Sequence, residues 1–80
     1  MSETGWSDIS VDDFYRIARR AEQNGGATDV NARGSVFVYF GTNELNGEKF
    51  PRCIAVKHPH AADGVTQKCR ANMVVIGEMK

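Results

Sequence analysis

The cysteines and histidines of this 80-residue chain are the side chains best suited to chemistry, and all of them lie within residues 52–70. Cys53, His58, His60 and Cys69 have the spacing C-x4-H-x-H-x8-C. Thiolate and imidazole are ligands that zinc prefers, but zinc motifs place neighbouring ligands roughly two to five residues apart, usually with a C-x-x-C pair. No such pair is present. A zinc-stabilised small domain therefore remains only a third alternative.

The alternation of side chains predicts that the two cysteines lie on opposite faces of a sheet. Ile54 and Val56 share one face of a predicted strand, and Cys53 lies on the other. If the apolar rows of neighbouring strands align, Cys69 joins Ile54 and Val56, and Cys53 lies on the reverse. A β-bulge would change this register. We expect two small buried thiols rather than a disulfide or a reactive nucleophile.

No catalytic motif accompanies these residues. The chain contains neither G-x-S-x-G nor H-E-x-x-H, and the glycines of "NGGATD" at 24–29 lack the strand and the Lys-Ser/Thr helix start of a phosphate loop. We therefore predict that the protein is not an enzyme, has no catalytic residues and needs no cofactor.

Charge is balanced over the chain but unevenly distributed along it. Ten basic and ten acidic residues cancel, so no global field attracts nucleic acid or anionic lipid. Residues 1–13 are acidic, whereas residues 49–70 carry five bases against Asp63 alone. Two patches are thus candidates for partner binding. They comprise Asp8, Asp12 and Asp13, and Arg52, Lys57, His58, His60, Lys68 and Arg70.

The N-terminus and the hydropathy pattern favour a cytoplasmic protein without membrane contact. "MSETGWSDIS" has neither the basic nor the apolar segment of a secretory signal, and the apolar run at 73–76 is too short to cross a bilayer. Two cysteines without a signal segment also fit a reducing compartment.

The pattern of elements predicts one compact α+β domain over residues 1–80, with an N-terminal helix packed on a three-stranded antiparallel meander (αβββ). Ser10 is a predicted N-cap, and an apolar stripe predicts a helix at about 11–23. A polar loop is expected at 24–34, followed by strands at 35–40, 51–58 and 66–77. The Asp63-Gly64 pair predicts a turn before the third strand.

The Asn46-Gly47 pair predicts a type I′ hairpin between the first two strands. A hairpin centred there places Glu44 opposite Lys49. It also places Phe37 opposite Val56, and Tyr39 opposite Ile54.

One face of the predicted sheet has no obvious cover in the chain except Trp6 and the 24–34 loop. Phe37 and Tyr39 lie on one face of the first strand, and Val36, Val38 and Phe40 lie on the other. A single helix covers only one of these faces, and an exposed apolar face usually marks an interface. The occupant is either a second copy of the chain, giving a homodimer, or a different protein.

In size and general character, though not in any motif, this neutral αβββ chain resembles the small phage-encoded inhibitors of the anti-CRISPR type. The resemblance implies a non-enzymatic protein that binds a CRISPR effector complex in the host cytoplasm. It would block target-DNA binding or nuclease recruitment by occupying a protein surface. The acidic patch would then imitate phosphates, or the basic patch would hold an acidic subunit. The alternative is a small nucleic-acid-binding module that uses the basic 49–70 region.

Overall fold

The first helix forms where its capping residue and apolar stripe predict. The computed structural model of the protein describes residues 5–59 and 68–79 and places helix α1 at Val11–Gln23. The Oγ of Ser10 accepts a hydrogen bond from the backbone N–H of Asp13 at 3.1 Å, as expected for an N-cap. Phe14, Ile17 and Ala21 are buried along one side of the helix. The predicted helix, its cap and its apolar face are confirmed.

Within the described residues, five antiparallel strands form one sheet. In chain order they are β1 (Trp6–Ile9), β2 (Ala27–Val30), β3 (Val36–Leu45), β4 (Glu48–Lys57) and β5 (Cys69–Asn72). The spatial order is β1-β5-β4-β3-β2, so β1 and β2 are the two edge strands. A second, short helix α2 follows β5 directly at Met73–Glu78.

The core lies between α1 and one face of the sheet. Phe14, Val38 and Ile54 are the largest fully buried side chains. Helix α2 closes the same side of the sheet, because Val75, Ile76 and Met79 belong to the same buried cluster. The guanidinium of Arg20 in α1 donates to the carbonyl oxygen of Met79 at 2.7 Å and so fixes the segment after α2.

The predicted αβββ meander of three strands is wrong. A strand, β1, precedes the helix, and another, β2, forms inside the segment predicted as loop 24–34. All four residues of β2 are exposed, and so are the two middle residues of β1. Because these edge strands bury little, their sequences lack the apolar alternation from which a strand is predicted.

The predicted third strand at 66–77 is also wrong over its second half. The strand ends at Asn72, whose side-chain oxygen accepts from the backbone N–H groups of Val74 at 3.2 Å and Val75 at 3.3 Å. This N-cap allows Met73–Glu78 to form a helix despite two adjacent valines, whose branched side chains favour strands. The predicted turn at Asp63-Gly64 lies outside the described residues.

The β3–β4 hairpin has the predicted turn and most of the predicted register. Asn46 and Gly47 both have positive φ, at 54° and 82°, as a type I′ turn requires. Glu44 pairs with Lys49, and Phe37 with Val56. Tyr39, however, pairs with Cys53 and not with Ile54.

Two compensating bulges explain this difference. Ile54 is an extra residue in β4 between the Val38–Ala55 and Tyr39–Cys53 pairs. In β3, the next pair after Tyr39 is Thr42 with Pro51, which places Phe40 and Gly41 opposite one residue of β4. One inserted residue in each strand restores the register at both ends.

Candidate functional site

The sheet face opposite α1 carries aromatic and apolar side chains that remain partly exposed. The strand pairings place Phe37 beside Val56, and Tyr39 beside Cys53, on this face. All four side chains are only half-buried, and the two helices contribute their buried residues to the other side. We call this surface the open face. Its members are Trp6, Asp8, Ala27, Asp29, Phe37, Tyr39, Cys53, Val56 and Arg70.

At the β1 side of the open face, a tryptophan, an arginine and an aspartate form a cluster. The guanidinium carbon of Arg70 lies 5.9 Å from the centre of the Trp6 ring. Its Nε lies 3.6 Å from a carboxylate oxygen of Asp8, which pairs with Arg70 across the β1–β5 ladder. The Asp8 side chain keeps 91% of its exposure, so its carboxylate remains open to a partner.

At the β2 side, the open face has a shallow hollow of about 490 Å³. Ala27 and Asp29 of β2 line one side of it, and Tyr39 and Pro51 line the other. Burial raises the pKa of the Tyr39 hydroxyl, and the nearby Cys53 and Asp29 raise it further. Tyr39 is therefore a neutral hydroxyl that both donates and accepts hydrogen bonds beside an exposed carboxylate.

The two cysteines lie on opposite faces of the sheet, as predicted. Cys53 is half-exposed on the open face and donates a hydrogen bond to the carbonyl oxygen of Ala55 at 3.5 Å. Cys69 is buried under the helices and pairs with Lys57. Burial raises the pKa of both thiols, so neither is an activated nucleophile at neutral pH.

The predicted grouping of Ile54, Val56 and Cys69 on one face is only partly right, because only Ile54 and Cys69 lie on the helix side. The Ile54 bulge places Ile54 on the helix side and Cys53 on the open face. Val56 stays opposite Phe37, so it shares its face with Cys53 and not, as predicted, with Cys69. Without the bulge, Ile54 and not Cys53 would lie beside Tyr39 on the open face.

The structure does not gather the predicted basic residues into one patch. Lys57 lies on the helix side, with its Nζ 6.0 Å from the centre of the Tyr15 ring, whereas Arg70 lies on the open face. The Nε of Arg52 donates to the carbonyl oxygen of Phe40 at 3.2 Å. The bases therefore point to different surfaces.

The remaining predicted site residues are also dispersed. His58 and Lys68 are exposed, and the backbone N–H of His58 donates to the Lys68 carbonyl at 2.8 Å. Asp12 and Asp13 lie in the exposed first turn of α1, where Asp13 is 3.5 Å from Arg16. Only Asp8 among the acidic candidates belongs to the open face. His60 lies outside the described residues.

Two important members of the open face were not among the predicted site residues, although Trp6 and the 24–34 loop were named as possible cover for this face. Trp6 and Asp29 lie on the edge strands β1 and β2, neither of which was predicted. Trp6 carried one usable signal, since the single tryptophan of a small domain is usually well packed. Asp29 carried no such signal, because all four residues of β2 are exposed.

Within residues 5–59 and 68–79, no group of three or more His, Cys, Asp or Glu side chains is arranged to hold a metal ion. In the same part of the chain, neither helix is long and apolar enough to span a bilayer.

Comparison of the chain with protein-family models, with curated proteins and with solved structures found no match.

Proposed function

We propose that this protein is a non-enzymatic binding protein that docks the open face of its sheet onto another protein. The observation that carries the proposal is the row of half-exposed Trp6, Phe37 and Tyr39 across the face that the described helices leave uncovered. Tryptophan, tyrosine and arginine are the residues enriched where binding energy concentrates in interfaces, and Arg70 lies in the same row.

The charges on the open face define the partner that fits it. Asp8 and Asp29 lie on the two edge strands, four strand spacings apart, or about 19 Å. Both carboxylates are exposed. A complementary surface has an apolar centre with basic side chains on either side, because opposite charges steer such an encounter and suppress wrong partners.

A basic partner surface agrees with inhibition of the anti-CRISPR type. Proteins that bind nucleic acid do so with lysine- and arginine-rich surfaces. A small protein that presents two carboxylates around an apolar centre would occupy such a surface on a CRISPR effector complex and prevent target DNA from binding. This form of the proposal rests on the resemblance in size and character, and on the acidic flanks of the open face.

Direct binding of nucleic acid fits the geometry less well. Among the open-face residues, Arg70 faces Asp8, and the other charge is Asp29. Phosphates would meet more negative than positive charge there, although the aromatic rings alone are suited to stacking with bases.

The proposal is tested by comparing a charge reversal on the open face with a matched one elsewhere. Asp29→Lys changes the β2 side of the open face, and Glu78→Lys makes the same charge change at an exposed position of α2. Tyr39→Ala removes the apolar centre. Purified CRISPR effector complexes are titrated with each variant, and complex formation and target-DNA binding are measured.

We expect the unaltered protein and Glu78→Lys to bind one class of effector and to reduce its affinity for DNA. Tyr39→Ala should weaken binding at least about 10-fold, as for a residue at the centre of an interface. Asp29→Lys should mainly slow association. If no effector binds, and a pull-down from bacterial lysate recovers only DNA or RNA, the proposal is wrong. Equal binding by Tyr39→Ala, with an unchanged circular dichroism spectrum, would also contradict it.

A further inference from the structure

The tip of the β3–β4 hairpin extends beyond the strands that the structure describes on either side of it. Strand β2 pairs with β3 only up to Tyr39, and β5 pairs with β4 only from Ala55 onward. Residues 41–51, which we call the arm, therefore form a two-stranded ribbon in which every residue is exposed. An isolated two-stranded ribbon is marginally stable in water, so the arm gains from an external contact.

The arm carries an apolar side chain next to acidic ones. Leu45 is 63% exposed and pairs directly with Glu48 on one face of the ribbon, whereas Glu44 pairs with Lys49 on the other face. The arm contains two acidic residues, Glu44 and Glu48, and one basic residue, Lys49. It thus presents an aliphatic side chain in a net negative setting.

A groove between α1 and α2 has the complementary character. Its floor is formed by Ile9, Ile17, Met73 and Ile76, and Met73 is 45% exposed there. Arg16, Arg20 and Asp13 form the rest of the lining, which leaves one net positive charge. The groove measures about 200 Å³. Since an apolar cavity of about 150 Å³ admits a benzene ring, a leucine side chain has room here.

The rim arginines keep hydrogen-bonding capacity for carboxylates. Arg16 lies 3.5 Å from Asp13, but its side chain is 73% exposed. Arg20 uses one guanidinium nitrogen for the Met79 carbonyl. A guanidinium has five N–H donors, so both residues can also bind a carboxylate that approaches from outside.

We propose that the arm of one molecule docks into the α1–α2 groove of a second copy, and that the reciprocal contact forms at the same time. Leu45 fills the apolar floor, and Glu48, which lies on the same face of the ribbon as Leu45, meets Arg16 and Arg20. Because a two-fold dimer places each patch against the other twice, one complementary pair of surfaces provides both contacts. The open face takes no part, so the dimer presents two such faces.

Charge reversal tests the reciprocal contact directly. Glu48→Arg places a base against the groove arginines, and Arg16→Glu places an acid against the arm. Sedimentation velocity over a concentration series should show a dimer for the unaltered protein. Each variant alone should have a dimer dissociation constant at least about 10-fold higher, since like charges then face each other in both contacts. Arg19→Glu, an exposed change on α1 outside the groove, is the control and should leave the dimer intact.

Mixing the two variants provides the decisive measurement. In a mixed dimer, the arginine at position 48 of one molecule meets the glutamate at position 16 of the other. The second contact joins the unaltered Glu48 and the unaltered Arg16. An equimolar mixture should therefore regain the dimer that neither variant forms alone. A Leu45→Asp variant should stay monomeric in every mixture.

Three results would overturn the proposal. The first is a protein that sediments as a monomer at all concentrations. The second is a dimer that persists in both charge variants. The third is a dimer lost in Tyr39→Ala but kept in Glu48→Arg, which would place self-association on the open face.

Discussion

The side chain of Arg70 lies over the ring of Trp6, with 5.9 Å between the guanidinium carbon and the ring centre. This contact joins the edge strand β1 to β5 on the open face, and Asp8 adds an ion pair to the same arginine at 3.6 Å. Residues 6 and 70 come from opposite ends of the chain, so the contact is also a tertiary restraint on a short edge strand.

We expect removal of this arginine to loosen β1 measurably. Arg70→Ala should lower the free energy of unfolding by about 0.5–1 kcal/mol, the usual strength of an exposed cation–π contact. Asp8→Asn should change it by less than about 0.5 kcal/mol, because that carboxylate is well exposed. Urea unfolding followed by the fluorescence of Trp6, the single tryptophan, measures both. Equal effects of the two variants would show that the ring contact contributes nothing.

The end of α1 depends on a close approach between Gly26 and β3. A Cβ at position 26 would collide with the carbonyl oxygen of Tyr39 and would lie 2.9 Å from that of Ala21. Both are backbone atoms that cannot rotate away. Gly26→Ala should therefore lower the free energy of unfolding by more than about 2 kcal/mol.

Gly77 is the matched control for this substitution. It lies in α2, and a Cβ there meets no atom within 4 Å. Gly77→Ala should leave stability unchanged or raise it by up to about 1 kcal/mol, because alanine is the better helix former. Thermal unfolding of both variants measures the difference in their stability. A Gly26→Ala protein as stable as the Gly77→Ala protein would contradict the predicted collision.

Local signals made some elements predictable from the sequence. Helix α1 was predictable because Ser10 and the stripe from Phe14 to Ala21 lie next to each other in the chain. The Asn46-Gly47 turn was predictable for the same reason, since its backbone conformation depends on these two residues. The opposite placement of Cys53 and Cys69 was predicted, but it depends on the bulge at Ile54. Simple alternation from Lys57, which pairs with Cys69, would have put Cys53 on the same face as Cys69.

The features that the sequence could not predict depend on pairing between segments that are far apart in the chain. Strands β1 and β2 form because β5 and β3 offer them unpaired edges, and neither has an apolar pattern of its own. The bulge places Ile54 on the helix side and Cys53 on the open face, and no local sequence signal predicts it. The Trp6–Arg70–Asp8 cluster therefore could not be assembled before the sheet order was known.

The different burial of the two cysteines predicts a large difference in their reactivity. Cys53 is half-exposed on the open face, whereas Cys69 is only 2% exposed beneath the helices. Iodoacetamide at neutral pH should modify Cys53 slowly, because burial raises the pKa of its thiol, and should leave Cys69 unmodified in the folded protein. Peptide mass mapping identifies the modified site. Unfolding in urea should make both react alike, and equal labelling of both in the folded protein would contradict the described faces.

The raised thiol pKa values also predict how stability changes with pH. Burial raises the pKa of Cys53 and Cys69 above the ordinary value of 9.0 when the protein folds. The folded state therefore holds these protons more tightly than the unfolded state. Their contribution to stability is complete below the unfolded pKa and is lost as the pH rises through the folded pKa. The free energy of unfolding should fall as the pH is raised from about 8 to about 10.

A variant without thiols separates this contribution from that of other groups. In Cys53→Ala/Cys69→Ala, lysine and tyrosine side chains still titrate, so the remaining pH dependence is theirs. Urea unfolding at a series of pH values should give a steeper decline above about pH 9 for the unaltered protein than for the double variant. The comparison concerns slopes, so the cost of the cavity that alanine leaves at position 69 cancels. Parallel curves would mean that the thiols have the same pKa in the folded and unfolded states, which contradicts their burial.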